Sequence, residues 1–394
     1  MASLIGVICE YNPFHKGHKY QIDKIKSEMP DSKIVAIMSG NATQRAEMTF
    51  FEKHERAKVA LLMGADLVLE LPFPYSSSCA EIFALGGVQI AKGIGCDYLY
   101  FGTETAEISD LNELTRILDT PEFEARMKFY LSDKKISYIT ARENALLDLG
   151  FEGKLLSNDM LAIEYVRAIK KTGAKIEARV IKRLGNGYND TSDGEIMSAS
   201  GIRHRYAESG EFTSVPTDAE KIYSDLADEG KILDFSAYKQ LLYRHALLTN
   251  ESELERAFDS SRELGSFIKD TALNTKNADE FIENLSSKAF TRSRIMRVLL
   301  YSILGVNNVR KELSFTRLLS SNEAGREILK NAKKSGLTVI TKHSDSRTLT
   351  DEEKEILELD YKLDALYLSL LKNGECPSGA YKTVPTIIEN SKLL

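Results

Sequence analysis

The chain has no tryptophan, only 8 prolines and 4 cysteines in 394 residues, and more acidic than basic side chains. Each shortage excludes something. Cys9, Cys79, Cys96 and Cys376 are scattered and form no C-x-x-C pair, which excludes a disulfide framework or a cysteine zinc site. They read as small buried hydrophobes of a reducing compartment. With so little proline and no low-complexity tract, the chain is neither a proline-rich linker nor a disordered scaffold. No apolar run approaches the ~18 residues of a membrane span, and the N-terminus lacks a basic leader with a cleavage site. The expectation is a cytoplasmic protein without membrane contact. Positive charge is also short: 52 Lys/Arg against 58 Asp/Glu leave a net charge of −6, which taken whole argues against a nucleic-acid partner.

What is present is ordinary globular composition, 43% hydrophobic and 28% charged, in a chain long enough for two domains. Over the first two hundred residues, short apolar runs alternate with segments of helical length. "LIGVICE" (4–10), "KIVAIMSG" (33–40), "DLVLELP" (66–72), "DYLYFGTE" (97–104) and "KIEARVIKR" (175–183) read as strands. Near-continuous apolar runs suit parallel strands covered on both faces. The alternation predicts an α/β fold: a Rossmann-like, doubly wound parallel sheet, which binds ligands beyond the carboxyl ends of its strands. From about residue 205 the spacing becomes helical, with "LTVIT" (337–341) almost the sole strand signal. The expected division is 1–205 for the sheet domain and 206–394 for a mostly helical domain.

Two constellations could carry chemistry. After the first strand comes "EYNPFHKGHKYQI", with His15, Gly17 and His18 in an H-x-G-H pattern. At a helix start, unpaired N–H groups and two imidazoles could meet a phosphate, and Gly17 could let it approach. An ordinary turn with two incidental histidines fits the same letters. The second is "IMSASGIRHR", where Ser198, Ser200 and Arg203 follow a Gly- and Asp-rich loop at 185–194. The serines could cap a helix, or hydroxyls and guanidinium together could clasp phosphate.

With both in one domain, the chain resembles the nucleotidylyltransferase superfamily. "MSGNATQR", "GADLVLELPF", "AEIFALGGV", "FGTE", "LSNDMLAIEYVRAI" and "IKRLGNGYND" narrow the resemblance to the tRNA(Met) cytidine acetate ligase family. "TRSRIMRVLL", "GREILKNAKK" and "LDALYLSLL" extend it through the second half. The resemblance implies an enzyme that activates acetate with ATP, releases pyrophosphate and acetylates N4 of the wobble cytidine of elongator tRNA(Met). It implies an ATP site formed by Val7, Ile8, Cys9, Glu10, Tyr11, Asn12, Pro13, Phe14, His15, Lys16, Gly17, His18, Lys19 and Tyr20, with Gly102, Asn158 and Arg183. His15 and His18 are the expected catalytic pair, and Ser198, Ser200 and Arg203 the expected pyrophosphate clasp. Mg²⁺ is expected with ATP on general grounds, without a dedicated carboxylate cluster or other protein metal site. The family pattern N-x-x-Q-R-G-E-P is departed from here, where Ala46 and Met48 stand in "NATQRAEM". Other readings of the same parts are an adenylyltransferase for a small phosphorylated substrate and an inactive tRNA-binding relative.

For RNA, residues 286–340 hold eleven Lys/Arg (Lys288, Arg292, Arg294, Arg297, Arg310, Lys311, Arg317, Arg326, Lys330, Lys333, Lys334) against Glu312, Glu323 and Glu327, so 11 − 3 gives +8. Within "TRSRIMRVLLYSIL", Ile295, Leu299 and Ile303 form the expected buried stripe, and Arg294, Arg297 and Tyr301 the exposed face. Arg294, Arg297, Tyr301, Arg310 and Lys311 are the expected tRNA contacts; a solvated charged face is the plainer alternative.

Overall fold

A computed structural model of the chain describes residues 2–133, 136, 138–151, 156–183, 196–287, 289–332, 336–389 and 392–393. Five parallel strands stand where the apolar runs predict them: β1 (Leu4–Cys9), β2 (Lys33–Ser39), β3 (Leu67–Leu71), β4 (Tyr98–Thr103) and β5 (Glu177–Lys182). Their order is β5-β4-β1-β2-β3, and every neighbouring pair among them is parallel. Along β2, Ile34, Ala36 and Met38 enter one apolar core while Val35 and Ile37 enter another. A run without polar alternation is what burial on both faces requires.

The crossovers carry α1 (Lys16–Glu28), α2 (Lys53–Leu62) and α3 (Ala80–Ile94), then α4 (Ile108–Leu118), α5 (Pro121–Leu131), α6 (Tyr138–Asp148) and α7 (Ser157–Thr172). Residues of α1 and α2 pack on one face of the sheet, and those of α3 and α7 on the other. After β3 the chain returns past β1 to β4, so the order reverses between β1 and β4. That is where a doubly wound sheet opens a crevice at its carboxyl edge, and the histidine motif leaves β1 there.

The second half is largely helical: α8 (Ala199–Ser209), α9 (Thr217–Asp228), α10 (Phe235–Leu248), α11 (Glu251–Arg256), α12 (Arg262–Leu273), α13 (Ala278–Glu283), α14 (Arg292–Leu304), α15 (Glu323–Ala332) and α16 (Asp351–Ser369). One expectation is corrected. Besides β7 (Thr338–Ile340), this half supplies β6 (Phe315–Ser321), β8 (Thr386–Glu389) and β9 (Lys392–Leu393). β6 lies antiparallel against β3, and β8 parallel against β6, so both the sheet and one core run across position 205/206. The polar lettering "FTRLLSS" hides β6 because its side chains find distant partners. Thr316 donates to the Glu70 carbonyl (2.6 Å) and Ser320 to the Ala57 carbonyl (2.9 Å). Among the described residues no helix is long and apolar enough to cross a membrane.

Candidate functional site

Between β1 and α1 the chain turns through Glu10–Phe14, with Tyr11 in the left-handed region (φ 47°). The Asn12 side chain accepts the Phe50 N–H (2.7 Å), and Phe14 N–H donates to the Tyr223 hydroxyl (2.9 Å). His15 then caps α1. Its Nδ1 accepts the Gly17 N–H (3.0 Å), while His18 Nδ1 accepts the His15 N–H (3.2 Å). A neutral imidazole carries one proton. With both Nδ1 atoms accepting, each ring's proton is assigned to Nε2. The rings stack, centroids 3.6 Å apart and planes at 24°. Burial, with Arg183 nearby, lowers His15 to about 3. Burial, then His15 and Arg183, holds His18 well below its ordinary value. The motif is thus a pair of neutral Nε2–H donors at a helix N-terminus. Gly17 has a further reason to lack a side chain: a Cβ there would lie 2.9 Å from His15 Cε1.

Gly102 sits in β4 opposite Ile181, and the Arg183 side chain lies over it, so a Cβ at 102 would be 3.0 Å from Arg183 Cγ. Burial lowers the Arg183 pKa, against an opposing pull from Glu104. Asn158, in the first turn of α7, gives its backbone N–H (3.0 Å) and side-chain amide (2.6 Å) to the Glu104 carboxylate. Asp159 beside it accepts the N–H groups of Glu104 (2.8 Å) and Leu156 (3.2 Å) and the Thr105 hydroxyl (2.7 Å). Loop and helix start are therefore one locked unit.

Ser198 caps α8 by accepting the Gly201 N–H (3.1 Å), with the Ser200 hydroxyl 3.0 Å away. Arg203 donates to the Asn12 carbonyl (2.7 Å) and to Glu47 (2.9 Å). In this structure its fork ties α8 to the histidine turn. Glu47 belongs to a tight turn over 43–47, closed by Ala46 N–H to the Thr43 carbonyl (2.8 Å). Ala46 is buried there at φ +56° and its carbonyl accepts the Tyr238 hydroxyl (2.9 Å). Glu10 accepts the Gln44 N–H of that turn (2.9 Å), and burial raises its pKa.

These pieces surround a cavity of about 710 Å³. Ile8, Cys9, Glu10, Tyr11, Asn12, His15, His18, Gly102, Asn158, Arg183, Ser198 and Arg203 line it. Gly17 and Tyr20 line a smaller adjoining cavity that also touches His15, Gly102 and Arg183. Val7, Pro13, Phe14, Lys16, Lys19 and Ser200 line neither of the two. Val7 and Phe14 are core, and Lys19 pairs with Asp23 on the surface. The loop at 185–194 lies outside the described residues.

A family profile for HIGH nucleotidyl transferases matches residues 2–381. Among curated relatives, the tRNA(Met) cytidine acetate ligase of Fusobacterium nucleatum is 32% identical, with 93% of this chain and 97% of that one covered. The ligase of the same name from Thermoanaerobacter sp. strain X514 is 35% identical over 94% and 96%. The chain belongs to the tRNA(Met) cytidine acetate ligase family. The Thermotoga maritima protein TmcAL, in a crystal structure with α-thio ATP bound, superposes with a TM-score of 0.89 at 29% identity, covering 98% of this chain and all of that one. Its apo form gives 0.91 at 28% identity, with the same coverage.

In this member of the ligase family the basic block is not one positive face, which corrects the sequence expectation. Arg297 and Tyr301 are buried, not exposed. α14 is enclosed from Ile295 to Tyr301, because it packs against α10, α11 and α16. Tyr301 donates to the Ser77 carbonyl (2.9 Å). Arg297 and Arg294 share Asp259, at 3.0 and 3.2 Å. Arg317 is buried among Glu70, Asp360 and Asp364. Arg310 and Lys311 are exposed, with Arg310 paired to Glu352 (3.2 Å). Lys288, Lys333 and Lys334 lie outside the described residues. Nor is every cysteine buried: Cys376 is exposed.

The sequence reading missed part of the cavity wall: Gln44, Arg45 and Glu47 from the 43–47 turn, Cys79 capping α3 with Ala80 and Phe83 inside it, Arg142 and Leu146 from α6, Leu161 and Tyr165 from α7, and Ser293 from α14; Arg297, expected as a tRNA contact, lines the cavity as well. The quoted "AEIFALGGV" and "TRSRIMRVLL" contain several of them. No local pattern says that these segments meet.

Proposed function

We propose that the chain condenses acetate with a tRNA cytidine at the expense of ATP. The observation that carries this reading is the stacked, neutral histidine pair, whose Nε2–H donors stand at the crevice of the sheet. In the first step an acetate oxygen bonds to the α-phosphorus while the bond to the bridging oxygen breaks, its electron pair leaving with pyrophosphate. Charge grows on the phosphoryl oxygens, where preorganised N–H donors are most effective. His15, His18 and the first turn of α1 supply them, and Arg183 adds fixed positive charge. In the second step the cytosine N4 lone pair forms the C–N bond to the acetyl carbon. The acyl C–O bond breaks toward AMP, and the N4 proton passes to the departing phosphate.

Mg²⁺ would travel with the ATP oxygens. Among the described residues no three His, Cys, Asp or Glu side chains gather to hold a metal, so no step is assigned to it. Ser198 and Ser200 stand at the N-terminus of α8 where a pyrophosphate oxygen can replace the Gly201 contact. Arg203 must release Glu47 to take part.

The test is exchange of labelled pyrophosphate into ATP without RNA. Exchange that requires acetate and falls at least about a hundredfold in His18→Ala, followed by N4-acetylcytidine when tRNA is added, supports the ligase. Silent exchange in a protein that still binds tRNA replaces this reading with a binding protein.

A further inference from the structure

Acylation of a cytosine amine leaves one proton to place: as N4 bonds to the acetyl carbon, one of its two hydrogens must go to a base. The histidines cannot take it. Both Nδ1 atoms already accept N–H groups, and burial keeps the rings from gaining a charge. Among the described residues three carboxylates line the large cavity: Glu10, Glu47 and Glu143. Glu47 is held by Arg203 (2.9 Å), and Glu143 is exposed on α6. Glu10 is different. It follows β1 directly, is half-buried, and ties down the 43–47 turn with Oε1, which accepts the Gln44 N–H (2.9 Å). Its other oxygen, Oε2, has no partner among the described residues, yet it is not sealed in the interior. Glu10 and His15 flank the turn that leaves β1. Glu10 is also close enough to Tyr165 of α7, which lines the same cavity, for its charge to add to burial in raising that hydroxyl.

We propose that Glu10 Oε2 accepts a hydrogen of the acceptor N4 amine and takes its proton as the C–N bond forms. The proposal rests on the ligase reading above. The electron pair of the N–H bond stays on nitrogen, and the acyl C–O bond breaks toward AMP. Glu10 passes the proton on to the departing phosphate, so the carboxylate is regenerated. The surroundings suit this task. Burial raises the Glu10 pKa and Glu47 raises it further, while the Gln44 N–H, Arg45 and Arg203 oppose the rise without cancelling it. A base whose pKa lies nearer the working pH removes a proton better than an ordinary surface carboxylate. The same oxygen sorts pyrimidines. Cytosine presents an N–H donor at position 4, whereas uracil presents a carbonyl oxygen, which would face the carboxylate lone pairs. Adenylate formation has no such proton, so this role belongs to the second step alone.

The experiment compares two rates in the full-length protein: acetate-dependent pyrophosphate exchange without RNA, and single-turnover N4-acetylcytidine formation on tRNA. Glu10→Gln keeps an oxygen for the Gln44 N–H and removes the base. The ratio of transfer to exchange should fall at least about tenfold. That ratio does not depend on how much of the variant folds. An unchanged ratio, with both rates falling in parallel or neither, assigns Glu10 to the nucleotide or to the turn and overturns the proposal. The wild-type ratio should also climb with pH from the ordinary carboxyl value of 4.5 upward as Glu10 ionises, and Glu10→Gln should lack that climb. A role confined to holding the turn would leave the two pH profiles alike, which overturns the proposal as well. If wild-type protein shows no acetate-dependent exchange at all, the ligase reading itself fails, a result distinct from any of these.

Discussion

Two backbone N–H groups decide what His15 and His18 can do. By occupying both Nδ1 atoms they assign the protons to Nε2, and burial keeps both rings neutral. Because both pKa values are lowered, the exchange rate should show no imidazole inflection near pH 6.5; a pH profile from 5.5 to 8 checks this. Stability behaves differently. The unfolded imidazoles take up protons below about 6.5 that the folded ones refuse, so their contribution is present above that value. It is lost as pH falls toward 3. The capping and catalytic roles of His15 can be separated. Asparagine is a good N-cap, so His15→Asn should leave the urea midpoint nearly unmoved while exchange falls about 10²–10³-fold.

At the scale of elements, the site depends on how loops are tied to helix starts. Asp159 gathers the donors of Glu104, Thr105 and Leu156, and this is what places Asn158, bound to Glu104, at the cavity. Those hydrogen bonds hold its carboxyl below the usual range, against the effect of burial. Asp159→Ala should cost about 1–3 kcal/mol in urea unfolding, since it leaves buried N–H groups unpaired. The KM for ATP should rise more than kcat falls, because position and not chemistry is lost. The 43–47 turn shows how a departure from the family pattern is accommodated. Alanine in the left-handed region costs about 1–2 kcal/mol, and Ala46 is held there by Thr43 and Tyr238. The turn thus keeps its closed shape at the cavity wall without glycine.

Across the whole molecule, a buried ion cluster joins the two halves. Lys53 of α2 contacts Glu70 of β3 and Asp364 of α16, each at 2.6 Å. Arg317 of β6 contacts Asp360 (2.8 Å) and Asp364 (2.7 Å) of α16. Asn41, just beyond β2, donates to Asp364 (2.8 Å). Removing one partner of such a cluster strands buried charge, so Arg317→Met should destabilise by about 3–5 kcal/mol in urea unfolding. Burial, then repulsion from Asp360, raises Glu70 to about 8, against Lys53 and Arg317. The folded state keeps a proton that the unfolded chain releases above about 4.3. The Glu70 contribution is therefore complete at low pH and lost as pH rises through 8. The stability of wild type relative to Glu70→Gln should decline between pH 6 and 9, measured by urea midpoints at each pH.

What the sequence by itself determined is local. Apolar runs of five to seven residues mark β1 to β4, because a strand buried on both faces needs no polar partner. The histidine turn and the α8 cap are read from neighbours in the chain, and their hydrogen bonds span only two or three residues. Tertiary structure decided wherever a polar group is buried against a distant partner. β6 reads as polar, yet it is wholly buried because Glu70, Ala57 and Asp360 satisfy its side chains. Arg297 reads as a surface cation, yet Asp259 and the cavity enclose it. Helical spacing gives the faces of α14 but not which face turns inward when packing covers nearly all of it. That choice depends on residues far away in the chain, and it puts a guanidinium from the second half at the wall of a cavity whose lining begins at residue 8.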